Sequence, residues 1–190
     1  MDNDEVKGAL QAGRALDRQI REQVVPMIDK YRFDQAAANA GATVSAKLTE
    51  GNIFAAILDA TEALDNAEVP ADGRKLVVTP NTYKLLKASK AVILETEIGQ
   101  DARNRGVVAL LDGMEVIAVP ARRFGTANLG FMVAHPVAIP APVKLAEYRI
   151  HEDAPGISGS LVEGRIYFDA FVLNNKKNAI YVHINAAPAG

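Results

Sequence analysis

The segment from Asp4 to Ala40 constrains this chain most. Val6, Leu10, Gly13, Leu16, Ile20, Val24, Ile28 and Tyr31 recur at helical spacing, so the pattern predicts one helix carrying one apolar stripe. Lys7, Arg14, Arg18, Arg21 and Glu22 fall on the other side, which suits solvent or a polar neighbour. At 1.5 Å per residue such a helix measures roughly 50 Å, whereas globular helices average about 11–12 residues. A helix of that length with a single stripe lies across something large and reads as the backbone element of an assembly. Pro26 sits inside it and withdraws one backbone donor, which predicts a kink or two helices meeting there.

Beyond this segment the pattern alternates between short helices and strands. Gly41 to Lys47 is small and polar and reads as a connector. Thr49 offers an N-cap, with Asn52 in the capping-box position, and a helix follows from about Glu50 to Ala67. Ile53, Phe54, Ile57, Leu58 and Leu64 share its apolar side, and Asp59, Glu62, Asp65 and Glu68 face out. Pro70 to Gly73 is a turn, Leu76 to Val78 a short buried strand, and Pro80 opens a helix through Tyr83, Leu85 and Leu86. Ala91 to Arg105 is weakly patterned and reads as a loop. Val107–Leu111 and Met114–Val119 flank Asp112-Gly113, the strongest short-range hairpin signal.

The second half is β-rich. Leu129 to Ala134 predicts a strand, Pro136, Pro140 and Pro142 an extended stretch that cannot be a central strand, and Lys144 to His151 another strand. Pro155, Gly156 and Gly159 mark a loop from His151 to Ser160. Two closing strands, Arg165–Leu173 and Ala179–Ile184, are separated by Asn174–Asn178. In the last, Ile180, Val182 and Ile184 share one face and Tyr181, His183 and Asn185 the other, which predicts a sheet with one packed face. No internal repeat is present.

Composition narrows the chemistry. Lys plus Arg number 21 against 23 for Asp plus Glu, a net charge of −2, so no global basic field holds nucleic acid. The chain contains no cysteine, which removes disulfides, thiolate metal sites and a thiol nucleophile. The acidic opening MDNDE is unlike the basic, then apolar, start of a signal peptide, and no apolar run reaches the length of a membrane span. His135, His151 and His183 lack metal-site spacing. Gly156-Ile-Ser158-Gly-Ser160 lacks the second glycine of a nucleophile elbow. Asp169 lies among Tyr167, Phe168 and Phe171; a half-buried acid is one reading, and pairing with Arg165 is the favoured one. Arg122-Arg123 and Lys176-Lys177 are short basic pairs of the kind usually solvated. No catalytic, cofactor-binding or metal-binding residue is assigned.

Four segments, in order, resemble the major capsid proteins of tailed bacteriophages, the Hong Kong 97-type capsid fold. The opening MDNDE and the helix ending in REQVVPMIDKYRF are similar to the spine helix of that family and the link leading into it. LTEGNIFAAILDATEALDNAEVPADGRKLVVTPNTYKLLK resembles its next helix, turn, strand and helix. RNRGVVALLDGMEVIAVP resembles a hairpin common in these proteins, and EGRIYFDAFVLNNKKNAIYVHI their closing strands. The resemblance implies an α+β fold with a peripheral subdomain, 1–47 with 165–190, and an axial subdomain, 48–164, pointing loops at five- and six-fold axes.

The resemblance further implies a structural head subunit, not an enzyme. Its partner is itself, in pentamers and hexamers of an icosahedral shell around non-specifically held DNA, with scaffolding, portal or decoration proteins as further partners. No membrane and no cofactor enter this reading, and its locations are the virion capsid and the bacterial host cytoplasm during assembly. Family members carry an N-terminal arm and an extended loop before the spine helix; Met1 stands where the chain would leave that loop, so both are expected to be missing. In some members a lysine of that loop bonds to a neighbour's asparagine, and no such role is carried to Asn174 or Asn175. The alternative is a shortened capsid-derived binding module that caps or misdirects a full-length partner. Two structural expectations follow: the Val6–Leu10–Ile20–Val24 stripe packs on the Arg165–Ile184 strands, and self-association is weak, giving monomers or small rings.

Overall fold

The computed structural model describes residues 13–89, 107–151, 156 and 161–185. The expected long helix is present from 13 to Ala38 and is named α1. Its middle, Ile20–Val24, is a π-turn, closed by the Val25 N–H donating to the Ile20 carbonyl. Pro26 follows immediately and has no N–H to give its own turn. The wider turn is a known way for a helix to absorb such a defect. Val6 and Leu10 lie outside the described residues, as do the expected loops at 91–105 and, Gly156 apart, at 152–160.

The remaining elements are β1 (Ala42–Ala46), α2 (Ile53–Asn66), β2 (Lys75–Val78), α3 (Pro80–Ala88), β3 (Val107–Leu111), β4 (Met114–Ala118), β5 (Leu129–Ala134), β6 (Val143–His151), β7 (Leu161–Phe168) and β8 (Ile180–Asn185). Local chemistry sets several boundaries. Thr79 caps α3 by accepting the Thr82 N–H, with Pro80 in the first turn, where a proline costs no hydrogen bond. Asp112 and Gly113 both take positive φ, 51° and 72°, as a two-residue hairpin between right-twisted strands requires. Helix α2 begins at Ile53, later than expected. Asn52 reaches back to accept the Thr49 N–H at 2.7 Å, so its side chain braces the approach and the helix starts after it.

Two compact units emerge from the backbone. One comprises 1–29 with 141–169 and the other 30–140 with 170–190. The segment 165–190, expected to stay together beside 1–47, is therefore divided at Asp169 and Ala170. The reason is strand pairing. β7 forms an antiparallel hairpin with β6, whereas β8 pairs in parallel with β1 and antiparallel with β5. Residues 169–173 are not a strand. Their N–H groups at Asp169, Phe171 and Leu173 donate to the carbonyls of Pro142, Pro140 and Ala138, since prolines on the opposite segment can accept but not reciprocate.

The larger unit holds a six-stranded mixed sheet in the order β1-β8-β5-β2-β4-β3. Gly41 to Lys47, expected as a connector, mostly forms its edge strand β1, because β8 supplies the pairing that this short polar sequence could not signal alone. Both sheet faces are covered. Leu76, Val78, Val116, Phe131, Val133 and Tyr181 pack with Ile53, Ile57, Ala60 and Leu64 of α2 and Leu86 of α3. On the other face Val77, Met132, Ile180 and Val182 pack with Ala36 of α1, Val119, Phe124 and Ala138. The expectation of one packed face for β8 is thus corrected: Ile180, Tyr181, Val182 and His183 are all buried. Helix α2 likewise turns Ile53, Ile57, Ala60 and Leu64 inward while Leu58 is left 42% exposed.

The smaller unit joins the first part of α1 to the β6–β7 hairpin. Among its described side chains Ile28 alone is buried.

Candidate functional site

The candidate polar residues are scattered through the fold. His135 stands at the end of β5, where its Nδ1 accepts the Val137 N–H at 3.1 Å. The proton therefore sits on Nε2, which donates to the Asp72 carbonyl at 3.0 Å; the ring braces two turns. His151 lies at the end of β6, its Nε2 3.1 Å from Glu163 on the neighbouring strand. His183 belongs to β8 and is buried, stacked on Phe131 with ring centroids 4.9 Å apart. Its Nε2 is 3.0 Å from the Ala46 carbonyl, which can only accept, so Nε2 carries the proton and Nδ1 is left without a partner. Burial lowers the pKa of this ring, opposed by the Ala46 contact and by Asp59, and the same burial raises that of Tyr181.

The three histidines thus serve three different elements. Among the described residues no group of three or more His, Asp or Glu is placed to hold a metal ion. Ser158 and Ser160 lie outside the described residues. Asp169 is half-buried just past β7. Arg122 and Arg123 end a short 3-10 turn, and Lys176 and Lys177 stand at the turn before β8. The buried charge that the sequence did not single out is Arg74, 3% exposed. It donates to the carbonyls of Val69 and Pro70 and pairs with Asp65 at 2.7 Å. A cation bonded to the backbone just past the C-terminus of α2, and to a carboxylate in its last turn, is an end brace. Its position four residues after Pro70 was the only sequence cue.

Apolar surface supplies the better candidate. In the smaller unit α1 and β7 border a groove of about 450 Å³. Leu16, Ile20, Val24 and Met27 line it from the helix, and Gly164, Ile166 and Phe168 from the strand. The helix side follows the 3.6-residue stripe read in the sequence, and the strand side follows a two-residue alternation. Of the expected stripe, Ile20 and Val24 line the same groove as Ile166 and Phe168. β8, the other strand expected beneath it, is bonded into the larger sheet. Around this unit Met27 and Tyr167 are 56% and 57% exposed. Among the described side chains of this unit, then, the apolar residues along the groove are only partly covered.

No helix among the described residues is long and apolar enough to cross a membrane. No protein-family model matches the chain, and no curated protein matches it in sequence. Among solved structures, a protein of Mycobacterium phage Che8 is similar over 90% of this chain and 61% of its own length, with a TM-score of 0.63 and 17% identity. The capsid structure of the cyanophage P-SCSP1u is similar over 96% of this chain and 68% of that one, with a TM-score of 0.55 and 17% identity. The chain therefore has a mixed helix-and-sheet fold also found in a phage capsid. It spans about three fifths of the first of these proteins.

Proposed function

We propose that this protein is a shell-building subunit: the major capsid protein, or its assembly core, of a tailed phage or prophage with the Hong Kong 97-type fold. The observation that carries the reading is the pairing of a well-packed larger unit with a smaller one whose described side chains bury one residue. A subunit destined for a shell can leave such a unit unfilled, because neighbours complete it and closed symmetry repeats the contact around an axis. In this reading α1 is the spine, the unit holding its first part is peripheral, and the larger unit is axial. Pentamers and hexamers of one chain enclose DNA held without sequence preference, as the net charge of −2 requires little from the subunit itself. The virion is its destination and the host cytoplasm its place of assembly.

Sedimentation velocity across a wide concentration range, with electron microscopy of the heavy fractions, tests this. Small rings that grow into larger species with concentration are expected. A strict monomer at every concentration, with Leu16, Ile20 and Phe168 open to an apolar dye, would overturn the reading.

A further inference from the structure

At one end of the six-stranded sheet, β1 has β8 on its inner side and, among the described residues, no strand on its outer side. Which backbone groups point outward follows from β8. The His135 N–H donates to the Ala179 carbonyl, and the Asn185 N–H donates to the Asn128 carbonyl. Odd-numbered residues of β8 therefore turn their backbone groups to β5, and even-numbered ones turn theirs to β1. In a parallel ladder with Val44 opposite His183, those groups engage Ala42, Val44 and Ala46. The N–H and C=O of Thr43 and Ser45 are left on the open edge.

Edge strands are usually blunted by lysine, proline, a bulge or an inward charge. β1 has none of these: it reads Ala-Thr-Val-Ser-Ala and is exposed from Thr43 to Ala46, with Val44 40% exposed. The start of the strand is pinned against the sheet, since a Cβ on Gly41 would lie 2.5 Å from the Cα of Asn178. The five residues read nearly the same in both directions. Laid antiparallel on itself about Val44, the strand sets Val44 against Val44, Thr43 against Ser45 and Ala42 against Ala46. The outward groups of Thr43 and Ser45 then satisfy one another, with their hydroxyls on one face and the Val and Ala side chains on the other. Lys47 falls opposite Gly41, so no like charges meet.

We propose that β1 is a two-fold docking strand, pairing antiparallel with β1 of a second copy and joining two six-stranded sheets edge to edge. An isologous contact of this kind needs a patch that complements itself, and the near-palindrome supplies it. A strand this short buries less than a stable dimer interface of about 1,200–2,000 Å², so the pairing is weak and concentration-dependent. The inference does not rest on the capsid reading, because a chain that never built a shell could still pair through this edge.

The natural absence of cysteine gives a direct test in the full chain. Val44→Cys places two thiols across a non-hydrogen-bonded pair, close enough for a disulfide. Thr43→Cys faces Ser45 of the other copy and not itself. Under copper–phenanthroline oxidation, a shift to covalent dimer is expected for V44C and its absence for T43C, whereas a mixture of T43C and S45C should cross-link. A V44C variant that stays monomeric, or T43C cross-linking as readily, overturns the proposal. Ser45→Pro removes an outward N–H without touching the bonds to β8; loss of the weak dimer with unchanged melting is expected. A dimer that survives S45P, or that forms only with unrelated extended peptides, also overturns it. Shell formation persisting in these variants would leave the capsid reading intact.

Discussion

The two units of this chain use the same kinds of residue to different ends. In the larger unit, Phe131 is fully buried and stacks with Tyr181 at 6.3 Å and His183 at 4.9 Å, while α2 and α3 cover that face of the sheet. In the smaller unit, Ile20, Val24, Ile166 and Phe168 line an open groove, although the stripe and alternation that place them are as regular. Periodicity says which face is apolar; it does not say whether the same chain covers that face. The larger unit answers from within, by a second layer on each side of a sheet. Among the described residues the smaller unit presents one helix segment and one hairpin, with no second layer over the groove.

The largest expected difference comes from truncating each surface. Phe131→Ala should lower unfolding free energy by about 3–5 kcal/mol, seen as a drop in denaturant midpoint. Ile166→Ala should cost the isolated chain about 1 kcal/mol or less yet weaken its large assemblies in sedimentation. Equal losses of stability would erase the contrast between a packed unit and an unfilled one.

A smaller effect separates the two units by pH. Burial holds the His183 pKa below its ordinary value of 6.5, so between the two values the unfolded chain binds a proton that the folded chain refuses. Stability is therefore full above about pH 6.5 and declines as pH falls toward the depressed folded value. The expected outcome is acid weakening of the larger unit around β8, whose buried ring must take a charge while its Ala46 bond is kept. Hydrogen exchange at β8 from pH 7 to 5 measures it. In His183→Gln that slope should flatten, and an unchanged slope would assign the weakening to carboxylates elsewhere.

The smallest effect concerns the end of α2. Glu68 takes a φ of 54°, and the Val69 N–H closes back on the Leu64 carbonyl, a helix terminus at which glycine is the usual residue. Glu68→Gly should raise stability by about 1 kcal/mol, read as an increase in thermal midpoint. Because it acts inside the larger unit, it should leave assembly unchanged.

What the amino-acid sequence determined by itself was everything decided by neighbours along the chain. Asp112-Gly113 specified a hairpin, Pro80 a helix start, Leu76–Val78 a buried strand, Leu129–Ala134 a strand, and the Ile20–Val24 spacing a helix through Pro26. The tertiary structure decided what depends on distant partners. It made a strand of Ala42–Ala46, where Thr43 and Val44 give only a short β signal and β8 completes the backbone. It also sent β7 and β8 to different sheets, buried both faces of β8, and placed Arg74 beneath the end of α2. The physical reason is that capping, turn strain and periodicity act over a few residues, whereas hydrogen-bond ladders and two-sided burial are settled by whichever segments the rest of the chain brings alongside.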